Sequence, residues 1–491
     1  MIQNKPLHTV VLGSGVAGLA AAIRMAAAGS QVTVFEKSDT YGGKLGVWQK
    51  KGFRFDTGPS LFTMPEYVME LLLIDGKKDV HFDYDQLNTI CKYFWNDDTQ
   101  LIAYNDREKL KSEFIEKLNE SADNIDAFLD DSRQKYEITN PVFLEKSLHK
   151  WSTYMSWTTF KSFLKMGQVG VFHSMHQQNS KRFNNPKVVQ FFDRYATYNG
   201  SNPYDAPATL NVIPHYEFGI GAFFPKKGMR SIVDALYQKA LNLGVDFKFN
   251  TPVNQLQKRD NKYGINHDAK SYDIAICNID VATASSGPLS HLIKNHQKYT
   301  PSSSALIFYW GINRIFKNLD LHNIFFSSDY KKEFDSIFKN HSIDDDPTVY
   351  IQISCKFKKN DAPPNKENWF VMVNAPYVKN QDWEMLITNT RRHIISKISK
   401  ILKVNLEKHI ELEHILTPQL IWDKTGSYKG ALYGSSSNNR ISAFLRQPNF
   451  SKHHKGLYFC GGSVHPGGGI PLCLLSAKTS TDIIKRDFKI C

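Results

Sequence analysis

An α/β fold, in which a parallel sheet carries a glycine-rich turn at its carboxyl edge, is predicted by three observations. A β-branched run at residues 8–12 is followed at once by Gly13-Ser14-Gly15-Val16-Ala17-Gly18 and an alanine-rich helical stretch. An amphipathic helix, a strand, a hairpin and a buried strand succeed one another over residues 229–277. A last strand at 456–460 leads through a second glycine cluster into a terminal helix. The 491 residues give room for two or three domains. Hydrophobic residues at 41% and charged residues at 22% exclude a disordered chain, a collagen-like repeat and a polytopic membrane protein. A net charge of +13 favours anionic partners, whether nucleic acid or a membrane face. Cys91, Cys277, Cys355, Cys460, Cys473 and Cys491 are scattered without a C-x-x-C pair. They read as free thiols in a reducing compartment, with no metal site.

Residues 10–29 are almost wholly apolar, yet they do not read as a bilayer span. Arg24 would be costly at a bilayer centre, and the glycines suit a nucleotide loop instead. The first six residues lack the basic run expected ahead of an export sequence. Gly13 permits a tight turn, Gly15 lets the backbone approach a pyrophosphate, and Gly18 lets helix and strand pack closely. Amides at the start of the helix, predicted over 17–28, then face the phosphates. A second strand at 31–35 delivers Glu36, 18 residues past Gly18. A carboxylate there accepts both hydroxyls of an adenosine ribose and disfavours a 2′-phosphate. The site is thus a dinucleotide site for FAD or NAD, not NADP.

Tyr41-Gly42-Gly43-Lys44 lies just past that acid, in a loop able to pass beside the pyrophosphate and ribityl chain. A Gly-Gly-basic loop at this distance resembles the flavoproteins of amine-oxidase type, and it selects FAD. Residues 53–61 close a hairpin turning at Lys50-Lys51-Gly52. Residues 106–140 are predicted as one helical stretch, capped by Asp106, with Leu110, Phe114 and Leu118 on one face. From Trp151 to Lys187 there is no acid. Lys161, Lys165, Lys181, Arg182 and Lys187 are there interleaved with Trp151, Tyr154, Trp157, Phe160, Phe163, Phe172 and Phe183. This pattern fits a monotopic membrane helix or a core helix with snorkelling lysines. Single-stranded nucleic acid also binds such stretches, but no RNA-binding signature accompanies this one, so no nucleic-acid partner is expected.

Met229, Ile232, Val233, Leu236 and Ala240 form one face of a helix that precedes a strand at 245–249. A hairpin turning near Asp260-Asn261 and a buried strand at 272–276 follow, ending in Cys277-Asn278. Residues 304–312, 347–355 and 368–374 read as strands of a second sheet, with a helix over 384–402. At the C-terminus, Gly461 and Gly462 permit close backbone approach to a phosphate or ribityl group. Residues 469–472 start a helix whose amides would stabilise negative charge on a reduced flavin. His465 either fixes this loop or serves as an acid or base.

Over nearly its whole length the chain resembles the bacterial-type carotenoid desaturases, FAD enzymes of the phytoene desaturase family. The motifs that carry the resemblance are the first fingerprint, Asp56-Thr57-Gly58-Pro59-Ser60, Tyr198-Asn199-Gly200-Ser201-Asn202-Pro203-Tyr204, residues 225–229, Ala431-Leu432-Tyr433-Gly434 and His465-Pro466-Gly467-Gly468-Gly469-Ile470-Pro471. The run from Gly461 to Leu472 is more similar to the branch acting at C-3,4 of a 1-hydroxylated acyclic or monocyclic carotenoid, such as hydroxy-γ-carotene. Lys227 stands where the family has glycine. The resemblance implies a Rossmann-type FAD-binding domain of the amine-oxidase and GDP-dissociation-inhibitor kind. It also implies a mixed-sheet substrate domain with a helical, membrane-facing region at 140–190. The FAD-binding domain would comprise residues 1–75, 225–285 and 451–491, and the substrate domain 76–224 and 286–450. Carried over residue by residue, Gly13, Gly15, Ala17 and Gly18 would hold the pyrophosphate and Glu36 the ribose. Lys44, Ser60 and Leu61 would lead towards the flavin, Val253 would meet the adenine through its backbone, and Asn278 would lie nearby. Leu432, Gly462, Gly469, Ile470, Pro471 and Leu472 would line the ribityl and isoalloxazine portions.

Desaturation removes a hydride and a proton from adjacent carbons, which requires a two-electron acceptor such as FAD. Hydride loss from C-4 leaves a cation spread over the polyene, so the C-3 proton becomes acidic enough for water or a weak base. The protein's duties are then orientation and exclusion of water, and no catalytic side chain is assigned. The same resemblance leaves phytoene desaturation, carotenoid isomerisation or saturation, and a non-enzymatic isoprenoid carrier as alternatives. The expected partners are a carotenoid, the inner face of the cell membrane (bound peripherally from the cytoplasm) and an electron acceptor, oxygen or a quinone.

Overall fold

The computed structural model describes residues 6–144, 147–150, 170, 172–266, 270–293, 300–438 and 446–490. Five parallel strands form a sheet in the order Leu457–Phe459, Ile274–Cys277, His8–Leu12, Gln31–Phe35 and Asp246–Lys248. Their runs are apolar because both faces are covered. On one face the helix Val16–Ala27 packs between Ile470–Phe488 and Ser231–Asn242. Its small residues Ala20, Ala21 and Ala22 are fully buried and let those helices approach. On the other face Val10 and Leu12 pack with Leu256, Tyr263 and Ile265 of a three-stranded antiparallel sheet.

A second sheet has seven strands, ordered Ile410–Leu416, Ser304–Ile312, Glu367–Ala375, Val349–Gln352, His322–Phe325, Thr89–Phe94 and Gln100–Tyr104. All neighbours are antiparallel except His322–Phe325 and Thr89–Phe94. One face buries Phe308, Trp310, Val371 and Val373 against Ile394 and Ile398 of the helix Trp383–Leu402. The opposite face, with Ile307, Tyr309 and Phe370, packs on Phe53 and Phe55 of the hairpin Val47–Lys50/Phe53–Asp56. This hairpin fastens the two sheets together. Asp56, at its end, accepts from Arg54 Nη2 at 2.8 Å and from the backbone amides of Met229 and Arg230 at 3.0 Å each. Burial opposes the charge on Arg54, but Asp56 and Asp361 outweigh it and hold the guanidinium above its usual range.

Two expectations are corrected, and a third is decided at one residue. The helical stretch 106–140 is two helices, Arg107–Leu118 and Ala122–Thr139, because Asn119 adopts the left-handed conformation with φ 49°. Such a residue ends a helix by closing its last turn. The strand predicted at 272–276 is divided: Ser271–Tyr272 joins the antiparallel sheet, and Ile274–Cys277 the parallel one. Phe183, placed among the basic aromatic residues, is buried against Phe128 and Phe192. The proposed helix face of Trp157, Phe160 and Leu164 lies outside the described residues. No helix among the described residues is long and apolar enough to cross a membrane.

Candidate active site

A series of loop contacts surrounds the carboxyl edge of the parallel sheet. Gly42 N donates to Ser14 O at 2.9 Å, which lays the Gly-Gly-Lys loop along the first glycine turn. Lys44 Nζ donates to Leu432 O at 2.7 Å. Burial lowers the Lys44 pKa, with Asp280 and Cys473 acting against it. Beyond Leu432, a Cβ on Gly434 would stand 2.8 Å from Ser463 Cα, and one on Gly468 would stand 2.9 Å from the Tyr433 ring. A Cβ on Gly461 would reach Asn278 Oδ1 at 2.7 Å, and Asn278 Nδ2 donates to Gly13 O at 3.3 Å. The contacts therefore return to the loop where they began.

Inside this girdle Gly13, Gly15, Lys44, Ser60, Leu61, Asn278, Leu432, Gly462, Gly469, Pro471 and Leu472 are all half-buried. Ala17, Gly18 and Ile470 are buried, so only their backbone can meet a ligand. A Cβ on Gly43 would lie 3.3 Å from Gly15 Cα and would narrow the gap between the two glycine loops. At Gly469, with φ 104°, a Cβ would meet nothing within 4 Å, so the approach to the last helix is open. The donor set and this cradle fit a dinucleotide flavin.

Glu36 is 8% exposed and points back at the glycine turn. Its Oε2 accepts from Ser14 N at 2.8 Å and Ser14 Oγ at 2.7 Å, and Oε1 accepts from Ser38 N at 3.0 Å. A carboxylate has about four acceptor positions, so Oε1 keeps one for a ribose hydroxyl. Engaging both hydroxyls, as expected, requires Ser14 Oγ to turn away. Thr251 N donates to Glu36 O at 2.9 Å, and Val253 two residues on is half-buried against the strand core.

His465 is 2% exposed; its amide donates to Gln447 O at 3.0 Å and its carbonyl accepts from Asn449 at 2.9 Å. These bonds fix the loop. Lys227 is exposed, and the turn is carried by Gly228 with φ 87°. One contributor, Arg446, is not marked by the sequence, and another, Asp56, stands in a motif without an assigned role. Arg446 donates to Tyr433 O at 2.7 Å and Gly462 O at 3.2 Å, joining two walls of the cleft; no local pattern marks it. Asp56 lies in the Asp-Thr-Gly-Pro-Ser motif, and the structure shows it buried, holding Arg54 and the amides of Met229 and Arg230.

Residues 16–484 match the family described as flavin containing amine oxidoreductase. The chain is 47% identical over 97% of its length to a 1-hydroxycarotenoid 3,4-desaturase of Flavobacterium sp. (strain P99-3), of which it covers 98%. It is 32% identical to a 4,4′-diapolycopene oxygenase of Methylomonas sp over 100% of both chains. The cyclohexylamine oxidase of Brevibacterium oxydans IH-35A has a similar fold, with a TM-score of 0.62 at 11% identity over 99% of this chain and 100% of that one. The girdle of glycine loops on a parallel sheet, and these likenesses along the whole chain, make it a member of the flavin containing amine oxidoreductase family, within its carotenoid desaturases.

Proposed function

We propose that this chain is a FAD-dependent desaturase that introduces a C-3,4 double bond into a 1-hydroxylated acyclic or monocyclic carotenoid. The observation that carries this reading is the 47% identity over 97% of the chain to a 1-hydroxycarotenoid 3,4-desaturase. Bound FAD supplies a two-electron acceptor for the hydride from C-4, while the C-3 proton leaves to water or a weak base. The chain's part is to hold and orient. In this reading the backbone of Gly13, Gly15, Ala17 and Gly18 grips the pyrophosphate, and Glu36 takes the ribose. Val253 and Asn278 border the adenine side, and Lys44, Ser60 and Leu61 lead inwards. Leu432, Gly462 and residues 469–472 enclose the flavin, with the helix Ile470–Phe488 directing its positive end there. The division into a FAD-binding part (1–75, 225–285, 451–491) and a substrate part belongs to the same reading. It is supported by a parallel sheet that draws strands from all three stretches.

Products on liposomes test the assignment. A 1-hydroxycarotenoid should be desaturated at C-3,4 faster than phytoene; consumption of phytoene alone would make the chain a phytoene desaturase. Replacing Glu36 by Ala should weaken FAD binding by about 1.5–3 kcal/mol, read as a 10- to 150-fold rise in Kd by flavin fluorescence. Unchanged affinity would remove Glu36 from the site.

Peripheral attachment to the cytoplasmic membrane face, and reoxidation by oxygen or a quinone, complete the proposal. The substrate is almost insoluble in water, so it has to be drawn from a bilayer. Support comes from the net charge of +13 and from Phe172, 71% exposed within the basic stretch. Each basic residue near an anionic surface contributes about 1 kcal/mol, a hold that salt screens. Flotation with anionic liposomes should therefore be lost at high salt. Replacing Trp157, Phe160, Lys161 and Lys165 together should weaken it; unaltered flotation of that variant would place these residues in the core.

A further inference from the structure

One buried polar chain interrupts the apolar face of the seven-stranded sheet. By register, His322, Tyr350, Gln352, Phe370, Met372 and Ile307 share that face. His322 Nδ1 and Tyr350 Oη are 2.7 Å apart, and Tyr350 Oη donates to Ser60 Oγ at 2.8 Å. Gln352 Nε2 donates to Ser60 O at 3.2 Å and steadies the serine from the same sheet. The inner end is deeply buried: His322 is 3% exposed, and its Nε2 has no hydrogen-bond partner among the described residues. The outer end opens on the cleft, where Ser60 is half-buried, as are Met372, Leu416 and Leu432 on the same apolar cluster.

The chain carries no charge. Burial, with the charge of Arg194 adding to it, pushes His322 down to about 3, so it is neutral over the working pH range. With Tyr350 donating to Ser60, His322 Nδ1 carries the proton and donates to Tyr350. Ser60 Oγ then receives one hydrogen bond and keeps its own hydrogen to give. A neutral donor–acceptor pair in an apolar wall suits an alcohol. A carboxylate would demand a cation, and a hydrocarbon would leave the serine hydroxyl unpaired.

We propose that Ser60, oriented by Tyr350 and His322, binds the 1-hydroxyl group of the carotenoid and thereby sets C-3 and C-4 at the flavin. This deepens the function proposed above and rests on it. The hydroxyl-bearing carbon is only two bonds from C-3, so its partner must lie at the reaction centre and not at the far end of a tunnel. Ser60 meets that condition, because it belongs both to the loop leading to the flavin and to the sheet relay. Tyr350 and His322 are positioning residues, since they act through Ser60.

The test uses FAD-loaded enzyme on phosphatidylglycerol-containing liposomes carrying either a 1-hydroxycarotenoid or the same carotenoid with hydrogen in place of that hydroxyl. Wild type should prefer the hydroxylated substrate at least tenfold in kcat/KM for 3,4-desaturation, the scale on which a binding hydroxyl is recognised. Tyr350→Phe should remove most of that preference, chiefly through KM, while Ser60→Thr, which retains a hydroxyl, should keep it. Equal use of both substrates by wild type, or a full preference in Tyr350→Phe, overturns the proposal. If Tyr350→Phe fails to load flavin, the wild-type comparison decides alone. Absence of 3,4-desaturation on either substrate overturns the function on which the proposal rests.

Discussion

Gly18→Ala should give a protein without flavin and with little folded material. A Cβ at this position would sit 2.0 Å from Gly13 O and 2.8 Å from Asn278 Nδ2. Neither neighbour can yield cheaply, because Gly13 O is backbone at the turn and Asn278 bonds to that same oxygen. Overpacking costs about 1–3 kcal/mol and occasionally more, and a 2.0 Å contact with backbone stands at the upper end. The only relief is to move the helix Val16–Ala27 off the strand, which displaces the amides that are proposed to hold the pyrophosphate. Absorbance near 450 nm after purification and thermal melting check this. A yellow variant with wild-type melting would show that the turn has slack the geometry does not reveal.

Asp56→Ala is the second large effect. The acid is buried and holds Arg54, Met229 N and Arg230 N together. Removing it leaves a buried guanidinium facing Asp361 alone and two amides without an acceptor. Breaking a buried pair by deleting one partner costs about 3–5 kcal/mol. With an unfolding entropy of about 2.1 cal/mol/K per residue, a chain this size should lose roughly 3–5 °C in Tm. FAD should bind more weakly as well, because the helix Ser231–Asn242 packs on Val16–Ala27, the helix that follows the glycine turn. Melting curves with and without added FAD separate the two losses. An unchanged Tm would mean that water replaces the carboxylate.

Elements with strong local signals could be read from the sequence. The first strand, its glycine turn and Glu36 obey a steric rule that allows few substitutes, so residue type alone places them. The strands Ser304–Ile312 and Glu367–Ala375 are long apolar runs and appear within a residue of expectation. The strands Thr89–Phe94, Gln100–Tyr104 and His322–Phe325 were not anticipated. They are short, and the parallel pairing of 323–325 with 92–94 joins parts of the chain with no local mark of each other. Asn119 illustrates the limit of periodicity: the apolar spacing runs on, while one left-handed residue starts a new axis. The site divides in the same way. The glycines and Glu36 follow from motif, whereas Tyr350 and His322 meet Ser60, and Arg446 joins Tyr433 to Gly462, only through tertiary packing.

The strand order of the parallel sheet also fixes a timetable for synthesis. Its outer strand Leu457–Phe459, and the helix Ile470–Phe488 that covers Val16–Ala27, emerge from the ribosome last. At about 5–20 residues per second, the glycine turn waits roughly 20–90 s for the loop that completes its cleft. Throughout that interval the alanine face of the first helix is bare, and from its own synthesis onward the strand Ile274–Cys277 has a free edge; both invite wrong association. FAD loading is therefore a step that follows synthesis of this outer strand and helix. The supply of free flavin at that moment, together with chaperone capacity, sets how much of the newly made chain becomes enzyme.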